Sequence, residues 1–109
     1  MSVGLDGRPA EYVLGTLTTD LDAPADVLMV AAAVESVLSA RGYVTTSHRA
    51  TAREARLVGE SADHAWRAST KIEAFTLNSG VRLRVTVAPL GDLAESQSIT
   101  DAVLAALGE

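Results

Sequence analysis

The strongest helical pattern of hydrophobic and polar positions lies between Asp22 and Gly42. Apolar side chains there recur every three or four residues, which places them on one side of an α-helix; they are Val27, Val30, Ala31, Val34, Val37 and Leu38. Asp22 and Pro24 suit a helix start, whereas Arg41 and Gly42 suit a helix end. The apolar run is too short for a membrane span, which requires about 20 residues. The pattern therefore predicts an amphipathic helix whose apolar side needs a sheet to cover.

Three stretches around this helix have the composition of strands. Residues 11–20 are rich in β-branched and aromatic side chains and are predicted as one strand, with Gly15 at a bulge or a close approach of the helix. Residues 43–50 are predicted as a second strand, with Val44, Thr46 and His48 on one face. Residues 56–61 are predicted as a short third strand, although 43–61 could instead form one long bent strand.

The clearest strand pair lies in residues 66–75 and 81–88, where apolar and polar side chains alternate with a period of two. A turn within residues 77–80 joins the two strands. With a two-residue turn, Ile72 lies opposite Val85 on the dry face and Glu73 lies opposite Arg84 on the wet face. This pattern predicts a hairpin with one face in the core and one face in water.

The chain ends with a second amphipathic pattern, after Pro89 closes the last strand and Asp92 provides a capping residue. Its apolar positions are Ile99, Ala102, Val103, Ala106 and Leu107. Two one-sided helices and a one-sided sheet are satisfied together in two layers. We therefore predict an α+β two-layer sandwich, in which an antiparallel sheet of four or five strands carries both helices on one face, in the order β-α-β-β-(β)-β-α.

The length of 109 residues suits one domain with a sizeable core. We assign residues 11–109 to this domain and residues 1–10 to a flexible lead-in, because Gly4, Gly7 and Pro9 interrupt it. The first residues as written contain neither a basic segment nor an apolar segment of a signal peptide. The chain itself therefore leaves the compartment unknown.

Charge is unevenly distributed along the chain. The formal net charge is −5, but residues 41–84 hold eight of the nine basic residues against four acidic ones. The overall acidity argues against a general nucleic-acid binder. The local basic excess directs attention to the strands of the middle region.

The sequence contains no recognisable catalytic or metal-binding pattern. The absence of cysteine excludes disulfides, thiol catalysis and thiolate metal sites. His48 and His64 are the two histidines, and neither belongs to a known ligand spacing. Ser61, Asp63 and His64 are too close in sequence to predict a nucleophilic triad. We therefore predict no catalytic residue, no metal and no cofactor.

The wet face of the predicted sheet is the strongest candidate for binding. Arg67, Lys71, Arg82 and Arg84 are expected to share it, and Arg56 joins them if the third strand pairs nearby. Such a surface can attract an anionic ligand, although charged residues also keep an open sheet soluble. Stacking aromatics for nucleic acid are scarce there, and the single tryptophan, Trp66, is predicted on the dry side.

Several short motifs resemble a family of small uncharacterised bacterial domains that commonly follow a lipoprotein or signal segment. The motifs are residues 12–17 (YVLGTL), Gly42-Tyr43 with Ala32, Val37 and Leu38 before it, and residues 81–92 (VRLRVTVAPLGD) followed by Ser98-Ile99. The resemblance covers most of the chain from Glu11. It implies the predicted topology and a link to the cell envelope, and it implies no activity.

These observations favour a non-enzymatic, envelope-associated domain that acts in protein interaction or structure. The alternative is a binding module for an anionic ligand on the basic wet face, and an enzyme is a more remote alternative. The expected partner is another envelope protein or a second copy, paired through an edge strand such as the first or the third.

Overall fold

A computed structural model describes residues 2–4, 8–21, 26–61, 69–78, 80–88 and 93–108. Within these ranges the chain forms seven strands and two helices. They are β1 (Ser2–Val3), β2 (Arg8–Val13), β3 (Thr16–Leu21), α1 (Val27–Ala40), β4 (Tyr43–Ala50), β5 (Glu54–Ser61), β6 (Ser69–Leu77), β7 (Gly80–Ala88) and α2 (Leu93–Leu107).

The strands form one antiparallel sheet in the order β1-β2-β3-β7-β6-β5-β4. Helix α1 contacts β4, β5 and β6, α2 contacts β7, β3 and β1, and the two helices contact each other. Both helices therefore cover the same face. The predicted α+β class is confirmed, but the expectation of four or five strands is wrong, because the described residues form six longer strands and the two-residue β1.

The additional strands come from the N-terminal region. Where one strand was predicted over residues 11–20, β2 and β3 form a hairpin in which Val13 lies opposite Thr16. Leu14 and Gly15 form the two-residue turn with φ angles of 52° and 85°. Gly15 is thus a turn residue of a hairpin and not a bulge within one strand.

Part of the expected lead-in is also strand. Val3 of β1 is buried in the core, and the backbone N–H of Gly4 donates a hydrogen bond to Asp101 on α2. Gly4 has a φ of 80°, and a Cβ atom there would lie 2.6 Å from Leu104 Cδ1. These contacts join the described residues of the N-terminus to the helix layer.

Helix α1 ends as predicted but begins later. Asp26 is its N-cap and accepts a hydrogen bond from Met29 N at 2.8 Å, the role that the sequence suggested for Asp22. Asp22 and Pro24 lie outside the described residues. Gly42 follows the helix with a φ of 84°, and Arg41 makes an ion pair with Glu95 at the start of α2.

Residues 43–61 form two separate strands, β4 and β5. A bulge between Thr45 and Ser47 shifts the register of this pair. Val44 lies opposite Glu60, on the sheet face away from the helices, whereas His48 lies opposite the buried Leu57. The expectation that Val44 and His48 share a face is wrong, because one extra residue reverses the alternation.

The hairpin of β6 and β7 has the predicted register. Ile72 lies opposite Val85, Glu73 lies opposite Arg84, and Leu77 pairs with Gly80 across a two-residue turn. The row containing Ile72 and Val85 continues through Leu17 and Leu57, and all four side chains are buried. This row forms the centre of the sheet's contribution to the core.

Helix α2 packs by a slightly different side from the one predicted. Ile99 and Val103 are buried as expected, but Leu104 is buried where Ala106 was expected, and Ala106 is exposed. Ser96 of α2 and Thr70 of β6 are also buried. Neither side-chain oxygen has a hydrogen-bond partner within the described parts of the chain. Pro89 and Asp92 lie outside the described residues.

Candidate functional site

The helices leave one side of the sheet uncovered, and we call this side the open face. Along each strand, side chains alternate between the core and the open face, because successive residues of a strand point to opposite sides. The register of β3, β7, β6 and β5 places Thr18, Arg84, Glu73 and Arg56 in one row across it. Six strands contribute to this surface, in the sheet order β2, β3, β7, β6, β5 and β4.

Charges on the open face balance among the described side chains. Strand pairing places five basic residues there, namely Arg49, Arg56, Lys71, Arg82 and Arg84. It also places five acidic residues there, namely Glu11, Asp20, Glu54, Glu60 and Glu73. The described open face is therefore formally neutral on a molecule whose net charge is −5.

Because of this balance, the described open face is neutral, whereas the sequence predicted a basic face. The hairpin of β2 and β3, which the sequence did not predict, pairs with β7 and brings Glu11 and Asp20 to the open face. Asp20 accepts hydrogen bonds from Arg82 Nε at 2.9 Å and from Arg82 Nη2 at 3.2 Å. The hydrogen bonds and charge of Asp20 raise the pKa of Arg82. Arg82 is thus bound to a carboxylate of its own chain.

The other predicted binding residues differ in their surroundings. Arg67 lies outside the described residues. Lys71 Nζ lies 3.9 Å from Glu73, on the same strand. Arg84 is half-buried opposite Glu73, and none of the described carboxylates lies within 4 Å of its guanidinium group. The structure therefore places Lys71, Arg82 and Arg84 on one surface.

Arg56 also lies on this surface, because its strand β5 pairs with β6. It lies opposite Glu73 on one side and opposite Arg49 on the other. Two like charges directly opposite one another on neighbouring strands disfavour the pairing slightly. Arg49 was missed in the sequence because its position on this face depends on the bulge in β4.

A shallow groove of about 1000 Å³ crosses the open face. Strands β2, β3, β7 and β6 form it, and it combines apolar side chains with the ion pair of Asp20 and Arg82. Its lining residues are Pro9, Ala10, Glu11, Thr18, Thr19, Asp20, Phe75, Leu77, Arg82 and Arg84. Phe75 and Leu77 are half-buried at this surface. The groove offers apolar contact, charges of both signs and the hydroxyl group of Thr18 to a ligand.

The described histidine, His48, lies on the other side of the sheet. His48 Nδ1 lies 3.3 Å from Glu35 of α1, and both side chains are largely exposed on the helix side of the sheet. Asp63, His64 and Trp66 lie outside the described residues, and so does the side chain of Ser61 at the end of β5. Within the described ranges, no three or more histidine and acidic side chains cluster in a way that could hold a metal ion.

Comparison of the sequence with protein-family models gives no match, and comparison with curated proteins gives none. In the described ranges, neither helix combines the length and apolarity needed to cross a membrane. A function for this chain must therefore be argued from its own residues and their geometry.

Proposed function

We propose that this chain is a non-enzymatic protein-interaction module and that the open face of its sheet contacts the partner. The observation that supports the proposal is the groove on a face that the helices leave uncovered. Exposed apolar side chains that are rimmed by polar groups often mark a contact site, and Phe75 and Leu77 lie in the groove beside charged residues. The helix layer occupies one side, so the partner takes the other.

The chemistry of the groove suits a protein partner. Phe75 and Leu77 supply apolar area, while Arg84 and Glu11 supply charges of opposite sign. Protein interfaces combine an apolar centre with polar groups at the rim, and aromatic and arginine side chains contribute most to their stability. Acid–base catalysis, in contrast, requires convergent titratable groups, and the pair of His48 and Glu35 lies on the helix side of the sheet.

Site-specific photo-crosslinking in the source organism tests this proposal. A crosslinking amino acid replaces Thr18, which is half-buried in the groove, and in a matched variant it replaces Ser36, which is exposed on α1. We expect a discrete crosslinked protein band from position 18 and none from position 36. The same band from both positions, or a band from position 36 alone, would refute the open face as the contact surface.

The resemblance to domains that follow a lipoprotein or signal segment supports a location at the cell envelope. Fractionation of cells that express the tagged full-length gene product from its own locus tests this part. We expect the product in the envelope or periplasmic fraction. A product found entirely in the cytosol would remove the envelope from the proposal and leave the interaction surface untouched.

Binding of an anionic ligand is the second candidate function, and the strand pairing that sets Arg49 opposite Arg56 favours it. Together with Lys71 and Arg84 they form the part of the open face where basic residues are concentrated. Arg67 belonged to the predicted anion site but is outside the described chain, and Arg82 is held by Asp20. A bound phosphate would relieve the repulsion between Arg49 and Arg56.

Titration with pyrophosphate at low and high salt tests the second candidate. We expect binding that weakens as salt increases and that is lost in the double variant Arg49→Ala and Arg56→Ala. Arg82→Ala is the matched control, since its guanidinium group already has a carboxylate partner. Binding that is indifferent to salt and to the double variant would exclude this candidate.

A further inference from the structure

We infer that the partner on the open face is a second copy of this chain, packed face to face through a two-fold axis. Such a dimer would have four layers, with the two sheets inside and the two helix layers outside. The inference depends on the proposed function, because it names the partner of the same surface. Three features of the described residues support it: the area of the face, its charge and the shape of the sheet edge.

The area of the face matches what a stable dimer requires. Six strands at a spacing of about 4.8 Å, each about 8 residues long, make a surface of roughly 29 by 27 Å. This corresponds to about 800 Å² on each partner, which is the usual size of a specific protein–protein interface. Val13 and Val44, which are 50% and 55% exposed, add apolar area to this surface.

The charge of the face permits two copies to meet there. Five basic and five acidic residues on the described open face cancel, whereas the other described side chains carry a formal charge of −2, from Arg41 and Arg53 against Asp26, Glu35, Glu95 and Asp101. Two copies that met through the acidic remainder of the surface would repel each other. The open face brings them together without net repulsion and presents both acidic and basic groups to the other copy.

At the β4 edge of the sheet, the structure disfavours the alternative route to a dimer, which is pairing of edge strands. The expected third strand corresponds to β5, which lies inside the sheet between β4 and β6. The edge strand β4 carries the bulge between Thr45 and Ser47, which disrupts a regular hydrogen-bonding edge. A second copy therefore finds a better surface on the face of the sheet than at this edge.

Sedimentation equilibrium over a range of protein concentrations tests the inference. We expect reversible dimerisation with a Kd in the micromolar range. Thr18→Arg adds a charge within the contact twice per dimer and should weaken the dimer by at least about 10-fold. Ser36→Arg adds the same charge to the exposed side of α1 and should leave the Kd unchanged. Circular dichroism of both variants verifies that they fold.

Distances between spin labels provide a second measurement that does not depend on weakening the dimer. Because the chain contains no cysteine, Thr18→Cys and Ser36→Cys each give one labelled site. Packed sheets lie about 10 Å apart, and a helix layer on each side adds about 10 Å more. Labels at position 18 should therefore be closer than about 30 Å, and labels at position 36 should be farther apart than this.

The outcomes separate this inference from the proposed function. A chain that remains monomeric at about 200 μM, or a dimer weakened by Ser36→Arg and not by Thr18→Arg, would overturn the face-to-face dimer. A monomeric chain that still crosslinks a different protein from position 18 would overturn the dimer and leave the proposed function intact. Self-crosslinking from position 18 together with concentration-dependent dimerisation would support both.

Discussion

The hairpins β2–β3 and β6–β7 lie side by side in the sheet, and they differ in how strongly the sequence predicts them. Hairpin β6–β7 turns within residues 77–80 and alternates strictly along both strands, whereas hairpin β2–β3 turns at Leu14 and Gly15. Both have two-residue turns, and β3 and β6 are the two neighbours of β7. The comparison shows that a strand can be central to the fold although its turn has no conventional signal.

The difference lies in the chemistry of the turns. Asparagine and serine are common turn residues, and Asn78 begins the turn of β6–β7. Leucine is unusual at a positive φ, yet Leu14 has a φ of 52° and is 98% exposed. Strand pairing and packing of β2 and β3 therefore hold Leu14 in a conformation that its own preferences oppose.

The largest expected effect tests whether β3 contributes as much to the core as β6. Leu17 of β3 and Ile72 of β6 are both 1% exposed and lie in the same buried row. We expect Leu17→Ala and Ile72→Ala each to lower the free energy of unfolding by about 2–5 kcal/mol, measured by urea denaturation. A loss below about 1 kcal/mol for Leu17→Ala alone would show that β3 is peripheral to the core.

Two buried threonines provide a matched test with effects of opposite sign. Thr19 of β3 donates a hydrogen bond to the carbonyl oxygen of Pro9 at 2.8 Å, whereas Thr70 of β6 has no partner among the described residues. Thr19→Val should destabilise the protein by about 1 kcal/mol, and Thr70→Val should stabilise it by about 1 kcal/mol. Equal shifts in the same direction upon urea denaturation would contradict this assignment of hydrogen bonds.

The smallest expected effect concerns the turn of β2–β3. Leu14→Asn places a residue that tolerates a positive φ before Gly15 and creates the favoured Asn-Gly turn. We expect an increase in unfolding free energy of up to about 1 kcal/mol, while Leu14→Ala, which keeps the unfavourable φ, should change it little. An unchanged or lower melting temperature for Leu14→Asn would argue against a tight turn at this position.

Regular alternation made much of the fold predictable. It gave the pairing of Ile72 with Val85 and the buried side of α1, because a strict period allows only one way to bury the apolar side chains. It could not reveal the turn at Leu14, since no turn-forming residue precedes Gly15. It also could not reveal the bulge in β4, which depends on local register.

The same limits explain the candidate site. Alternation predicts one face for Lys71, Arg82 and Arg84, and strand pairing sets all three on the open face. The carboxylates of Glu11 and Asp20 reach that face only because β3 pairs with β7. A long-range pairing of this kind is decided by packing of the whole sheet, so local composition could not predict a neutral surface.

A set of nuclear Overhauser effects between β3 and β7 tests the pairing of these two strands most directly. Thr18 lies opposite Arg84 and Leu17 lies opposite Val85, and the neutral open face follows from this pairing. We expect cross-strand contacts between the backbone protons of these residue pairs, as between neighbouring antiparallel strands. Contacts of β7 with β6 alone, and none with residues 16–21, would contradict this pairing.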